Sequence, residues 1–128
     1  MVFVVTGSST GYVYSLSHVE HPQAADLSVL HAYTNEELAD DLAFGASGNL
    51  YVSLAAANQI SVIARDGTES RLPTQGSQIP YDGPANLAFD NRTASLLAVN
   101  HAPFTDNATH FAVLRTYVKD HEGPLARP

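Results

Sequence analysis

The sequence contains no cysteine, so it can form neither a disulfide nor a thiolate zinc site, and cysteine usage gives no information on redox compartment. Basic residues are few: six Lys and Arg stand against 13 Asp and Glu, for a formal charge of −7. The acids are dispersed, which argues against a nucleic-acid partner or an anionic-membrane surface.

Long hydrophobic runs are also missing. The longest is about five residues, whereas a membrane-spanning helix needs about 20. The N-terminus lacks the basic and apolar regions of a signal peptide, so we expect the chain as written to stay in the cytoplasm. Two glycosylation triplets, Asn91-Arg92-Thr93 and Asn107-Ala108-Thr109, give weak support for a secreted parent protein.

Several catalytic and nucleotide-binding motifs are absent from the sequence. It has no Gly-x-Ser-x-Gly elbow, no phosphate loop and no dinucleotide fingerprint. The run Gly7-Ser8-Ser9-Thr10-Gly11 resembles a nucleotide loop but leads into a second strand pattern, which favours a hairpin turn. His18 and His21 have no obvious third ligand, so the spacing does not favour zinc.

What the sequence does contain is an internal repeat. The segment Leu42–Ser53 returns, altered, as Leu87–Asn100, about 45 residues later, which is the interval typical of β-propeller blades. Val2–Thr6 matches the second half of the same unit. We therefore predict an all-β chain forming a partial propeller of about three antiparallel blades, half of a six-bladed ring.

The predicted blades cover residues 1–38, 39–80 and 81–122, with a tail at 123–128, in a single domain. Short β-branched and aromatic runs separated by turn residues mark the strands. The tight-turn dipeptides Gly48-Asn49 and Asp66-Gly67 suit hairpins, and 35–40 is expected to form a loop or one helical turn. The predicted strands are Val2–Thr6, Tyr12–Leu16, Leu27–Tyr33, Asp41–Phe44, Asn49–Leu54, Gln59–Ala64, Glu69–Leu72, Asn86–Phe89, Ser95–Asn100 and His110–Val118.

Apolar residues occur on both faces of strands such as Leu42–Phe44 and Ile60–Ile63, as expected for sheets packed on each side. The first and last blades of an open array would each leave one apolar face without a partner. Two copies could close a six-bladed ring, which predicts a homo-oligomer; the alternative is an unstable truncation.

The run Ala39-Asp40-Asp41-Leu42-Ala43-Phe44, followed by Gly48-Asn49-Leu50-Tyr51-Val52, resembles a blade of the senescence-marker-protein/gluconolactonase family. These are six-bladed propellers that hydrolyse lactones with a divalent metal. Tyr81–Phe89 similarly resembles the inner strand of the last blade, so the resemblance covers the C-terminal half of such a protein. It implies that Asp40 is a metal ligand, while the family's Glu and Asn ligands have no counterpart here.

A propeller's functional centre is the channel mouth, where inner strands start and their partners end. Calcium or zinc are the implied metals, since adjacent acids supply the oxygen ligands that hard cations prefer. In such a reaction the metal polarises a carbonyl and a carboxylate or histidine activates water. The candidate residues are Asp40 as metal ligand, Asp41 and His101 as catalytic groups, and Ser53, Asn86 and Asn100 as substrate contacts.

Three functional hypotheses follow. The first is a lactonase-like, metal-dependent hydrolase acting on a small lactone or ester. The second is a non-catalytic propeller segment that serves as a binding or assembly module. The third is a family member that performs another biosynthetic reaction, because a fold does not fix its chemistry.

Overall fold

The computed structural model describes residues 2–6, 11–16, 19–73, 81–103 and 105–124, and for 2–6 it describes the strand but not its side chains. The proposed turn at Gly7–Gly11 lies largely outside these residues, as does Leu125–Pro128 of the tail. Ten β-strands and two short 3-10 turns, but no α-helix, form in the described part. The strands are β1 (Val2–Thr6), β2 (Gly11–Leu16), β3 (Leu27–Ala32), β4 (Ala39–Phe44), β5 (Leu50–Leu54), β6 (Gln59–Ile63), β7 (Glu69–Leu72), β8 (Pro84–Asp90), β9 (Ser95–Asn100) and β10 (Ala112–Tyr117).

The strands form three antiparallel sheets in chain order. The first sheet is β1-β2-β3, the second is β4-β5-β6-β7, and the third is β8-β9-β10. The prediction of an all-β chain built from antiparallel sheets is confirmed. Within the described residues no sheet closes on itself, and an arrangement of the three around a ring stays a prediction.

Three strand starts, those of β4, β8 and β10, differ by two residues from the predictions, and the other boundaries agree within one residue. β8 begins at Pro84 rather than Asn86, since β8 is an edge strand and its first residue can lack a backbone N–H. β10 begins at Ala112 rather than His110, because Ala108–His110 forms a 3-10 turn capped by Asn107. The segment 35–37 is a turn, and β4 already includes Ala39 and Asp40.

The turn glycines behave as expected for hairpins. Gly48 and Gly67 adopt φ values of 90° and 87°, a left-handed conformation that other residues adopt only with strain. The N–H groups of these two glycines donate to Gly45 O and Ala64 O, which closes the β4–β5 and β6–β7 turns. The tight-turn predictions at these dipeptides are therefore confirmed.

The second sheet is buried on both faces. All five residues of β5 are buried. On one face Leu50, Val52 and Leu54 pack with Val13 and Tyr33 of the first sheet and its following loop. The alternation of side chains along a strand sends the next residues to the opposite face, where a second core forms.

That second core lies between the second and third sheets. Tyr51 and Ile60 of the second sheet pack with Leu96 and Ala98 of β9, and with Tyr81 just before β8. The Tyr51 ring meets the Phe89 ring edge-on, with centroids 5.4 Å apart. Sheets packed on each side of a central sheet were expected from the two-faced apolar pattern, and the two cores confirm it.

Among the described residues, the outer faces of the first and third sheets carry exposed apolar side chains. On the third sheet, Val99 pairs with Val113, and the side chains of Val113 and Tyr117 are 63% and 69% exposed. On the first sheet Tyr14 pairs with Val29, which is 57% exposed. Each of these end sheets thus leaves large apolar side chains exposed.

The segment after β10 folds back onto the β4–β5 hairpin. The buried carboxylate of Asp120 accepts hydrogen bonds from the Ser47 hydroxyl at 2.5 Å and the Tyr51 hydroxyl at 3.1 Å. The Gly123 N–H donates to Phe44 O at 2.7 Å. These contacts join 120–123, which follow the third sheet, to the second sheet, and we call them the clasp. None of the described helical segments is long and apolar enough to cross a membrane.

Candidate functional site

The starts of β4 and β8 lie side by side, and two hydrogen-bond links join them. The Leu87 N–H donates to the Asp41 carboxylate at 2.8 Å. The buried Ser53 hydroxyl, on β5, accepts the Asp41 N–H at 2.9 Å and donates to Ala85 O at 2.5 Å. We call this region the strand-start edge; it comprises 39–41, 53–54, 81–87 and 100–101.

The two adjacent acids of this edge have different environments. Asp41 is half-buried and committed to the link with β8. Asp40 is exposed, and its carboxylate has no hydrogen-bond or ion-pair partner among the described residues. Of the two, Asp40 is therefore the one free to bind a ligand, whereas Asp41 and Ser53 hold the second and third sheets together.

The remaining predicted residues lie one strand further along the same edge. Asn86 is exposed on β8, within the irregular pairing between Pro84 and Leu87. Asn100 is buried at the end of β9 and its side-chain oxygen accepts the Asp82 N–H at 3.2 Å. The His101 side chain is exposed, and the backbone N–H of His101 donates to Gly83 O. All six predicted residues thus lie at this edge.

A cluster that the sequence did not predict surrounds Asp82, the residue two before β8. The Asp82 side chain is buried, and the residue is only 4% exposed. Its Oδ2 accepts hydrogen bonds from Thr105 Oγ1 at 2.5 Å and from His110 Nδ1 at 2.6 Å. Its backbone oxygen accepts the Ala102 N–H at 2.9 Å. Two partners therefore hold the carboxylate, and Ala102 and Asn100 hold the backbone of Asp82.

The next residue of the chain has no room for a side chain. Gly83 has φ 58°, and a Cβ there would lie 2.2 Å from Pro103 Cδ. The Gly83 N–H donates to Asn58 Oδ1 at 2.8 Å. This close approach presses the loop after β9 against the start of β8, and so brings residues 105–110 to Asp82.

The chemistry of the cluster follows from its donors. The Thr105 hydroxyl, and then the His110 ring, lower the pKa of the Asp82 carboxyl below its usual range, so the group is ionised at neutral pH. The His110 side chain is 39% exposed. Its Nε2 lies 3.1 Å from Asn107 Nδ2. A buried carboxylate thus holds one nitrogen of a partly exposed ring, and the Asn107 amide contacts the other.

The sequence signals for this cluster pointed elsewhere. The sequence Asn107-Ala108-Thr109 fits a glycosylation triplet; in the structure Asn107 Oδ1 also accepts hydrogen bonds from the Thr109 N–H and hydroxyl, as a cap of the 3-10 turn. Asp82 and His110 are 28 residues apart, and no local spacing rule connects them. An Asn two residues before a Thr also fits a turn cap, and that pattern could have indicated the turn.

The described residues do not assemble a complete metal shell. No group of three or more His, Asp or Glu side chains in this part of the chain is arranged to hold a metal ion. Asp40 supplies one exposed carboxylate, whereas Ca²⁺ takes about 6–8 oxygen ligands. The residues of one chain described here therefore do not fit a self-sufficient metal site.

A shallow pocket lies at the opposite end of the sheets. Its volume is about 370 Å³, and its lining includes Tyr51, Leu72, Tyr117 and Lys119. None of the six predicted site residues borders it. The strand-start edge, rather than this pocket, therefore carries the candidate chemistry.

Comparison with protein-family models, with curated proteins and with solved structures finds no match to this chain.

Proposed function

We propose that the chain is a propeller segment of the senescence-marker-protein/gluconolactonase type and acts as a metal-dependent hydrolase of a small lactone or ester. The observation that carries the proposal is the exposed, unpartnered Asp40 at the strand-start edge. The resemblance of 39–52 to a lactonase blade gives that same residue the role of metal ligand. The neighbouring carboxylate is occupied in joining strands, which leaves Asp40 available.

Serial packing of the sheets supports the propeller part of the proposal. β4 contacts β1 and β2, and β8 contacts β4 and β5, so the first strand of each later sheet packs against the sheet before it. Propeller blades pack in this consecutive, face-to-face manner around their axis. The first sheet has three described strands and the second has four, which is consistent with a first blade that lacks its inner strand.

The uncovered faces support a homo-oligomer. Each end of the stack presents apolar side chains, Val29 at one end and Val113 and Tyr117 at the other. We propose that a second copy covers these faces and closes the array. Burial on association stabilises such faces by about 25 cal/mol per Å². The second copy would also bring its own Asp40 toward the shared centre, adding a ligand that one chain lacks.

Calorimetric titration with Ca²⁺ and with Zn²⁺ tests the metal ligand. Asp40→Asn removes the charge without changing side-chain size, and we expect it to weaken binding about tenfold or more, by analogy with the loss of outer-shell partners. Glu36→Gln is the matched control, since Glu36 is an exposed acid in the preceding turn. Equal heats for Asp40→Asn and wild type would remove the metal assignment.

Hydrolysis itself is tested with glucono-δ-lactone, by titrating the acid that ring opening releases. We expect turnover that a chelator abolishes and that Asp40→Asn lowers, because Asp40 would help to hold an ion that could polarise the carbonyl. Turnover that survives both treatments would contradict metal dependence.

A second candidate function is a non-catalytic binding or assembly module. It is favoured by the commitment of Asp41 and Ser53 to the link between β4 and β8. Under this alternative the chain associates with a second copy, but the titration shows no heat of metal binding and the lactone is not hydrolysed. The two assays above therefore separate the candidates.

A further inference from the structure

We propose that His110 is the acid–base residue of the hydrolysis, with Asp82 as its positioning residue. The inference rests on the proposed hydrolase function and adds a proton-transfer group to it. The cluster lies at the start of β8, at the same edge as Asp40 and one sheet further along. It is separate from Asp41 and His101, the residues to which the sequence assigned catalysis.

The hydrogen bonds assign one tautomer to the His110 ring. Two donors from Thr109 engage Asn107 Oδ1, so the amide must turn its Nδ2 toward His110 Nε2. An amide nitrogen only donates, so Nε2 is the acceptor and carries the lone pair. The ring proton is then on Nδ1 and donates to Asp82 Oδ2 at 2.6 Å. A carboxylate that fixes this tautomer is the arrangement that makes Nε2 a base.

The other oxygen of Asp82 gives a second, independent indication of function. Asp82 Oδ1 is buried and has no hydrogen-bond partner among the described residues. Buried polar atoms of a purely structural anchor are normally paired, because leaving one unpaired is unfavourable. The negative charge of the Asp82 carboxylate stabilises the His110 ring when the ring gains a proton, because the imidazolium is then paired with an ionised carboxylate.

The accessible side of the ring can reach a reacting molecule. Asn107 is half-buried and the ring is 39% exposed, so a water molecule can replace the amide as donor to Nε2. Nε2 takes a proton from this water as the water oxygen bonds to the lactone carbonyl carbon. The imidazolium then donates that proton to the ring oxygen of the lactone, as the bond between this oxygen and the carbonyl carbon breaks. The product is one hydroxy acid, and the histidine ends as it began.

The first test measures kcat/KM against pH with glucono-δ-lactone and with 4-nitrophenyl acetate. We expect His110→Gln to lower kcat/KM by about 10²–10⁴-fold, the range for a lost general base, and to remove the limb of the profile that belongs to the histidine. His21→Gln is the control, since His21 is exposed and far along the chain from the cluster. A wild type that hydrolyses either substrate while His110→Gln keeps its rate would overturn the inference.

The second test does not depend on turnover. Diethyl pyrocarbonate acylates a histidine at a free lone pair, and peptide mass spectrometry reports each histidine separately. We expect Asp82→Asn to slow acylation of His110 about tenfold or more, because the wrong tautomer then dominates, and to leave His21 unchanged as an internal reference.

The two tests distinguish failure of the proposed function from failure of the inference. If wild type hydrolyses neither substrate, the hydrolase proposal fails, and the acylation rates still decide whether Asp82 holds His110 as a base. If acylation of His110 is the same in wild type and Asp82→Asn, the inference is wrong. Circular dichroism of each variant checks that the fold is retained. Thr105→Val removes the other donor to Asp82 Oδ2 and so measures the effect of a less firmly held Asp82 carboxylate alone.

Discussion

Replacing Ser53 by alanine separates a structural role for this residue from the substrate contact that the sequence suggested. The fully buried hydroxyl accepts the Asp41 N–H within the second sheet and donates to Ala85 O of the third, so one of its two hydrogen bonds joins the sheets. Each bond contributes about 1 kcal/mol, and each buried backbone group left unpaired is unfavourable by about 1–3 kcal/mol. We expect Ser53→Ala to lower the free energy of unfolding by about 2–4 kcal/mol.

The assay is urea denaturation followed by far-ultraviolet circular dichroism, at one protein concentration for all variants because association would also change stability. Ser70→Ala is the matched control: Ser70 lies exposed on β7 of the same sheet, and we expect a change within about 0.5 kcal/mol. If Ser53→Ala is no less stable than Ser70→Ala, the hydrogen bonds of Ser53 do not stabilise the packing of the two sheets. A change in substrate KM without loss of stability would favour the sequence-based assignment.

Three further predictions concern the clasp after β10 and the buried tyrosines. Gly45→Ala places a Cβ 2.1 Å from Asp120 Oδ2, so we expect a loss of about 1–3 kcal/mol in urea denaturation, and unchanged stability would contradict the clasp. The pKa of the Asp120 carboxyl is lowered: burial opposes ionisation, but hydrogen bonds from Ser47, His121 and Tyr51 outweigh it. The Asp120 carboxylate therefore contributes its full stabilisation above its ordinary pKa of 3.8, and this stabilisation is lost as pH falls through the lower folded-state pKa. In Asp120→Asn the free energy of unfolding should therefore fall less steeply at acid pH than in wild type. Burial raises the pKa of Tyr33 and of Tyr51 to about 12 and also raises that of Tyr81, so absorbance at alkaline pH should show three late-titrating tyrosines. Stability should be lost as pH rises from about 10 toward 12, and titration of every tyrosine near pH 10 in a folded chain would contradict this.

Local sequence information predicted most of the strands. Alternating and two-faced apolar patterns reflect burial directly, and so β5 and β6 were predictable as strands packed on both sides. The glycines at 48 and 67 adopt the left-handed conformation that turn dipeptides require. The boundaries of β8 and β10 were less accurate, because edge position and a 3-10 turn depend on tertiary neighbours.

The sequence predicted that several polar residues would gather at one edge of the sheets, but not which of them would form hydrogen bonds between strands. Starts of inner strands and ends of their partners did gather Asp40, Asn86 and Asn100 at one edge. Which polar groups would be free and which committed could not be predicted, since the Asp41 bond to Leu87 spans 46 residues. The contact of His110 with Asp82 has the same origin, because it depends on how the loop after β9 packs against Gly83.

The molar mass in solution, measured by light scattering across micromolar concentrations, tests most directly the claim that a second copy completes the array and its site. We predict twice the 13.7 kDa chain mass, and a single-chain mass for Val113→Glu, which places a charge on the uncovered face of the third sheet. A wild-type chain that stays at 13.7 kDa and still unfolds cooperatively would contradict the claim.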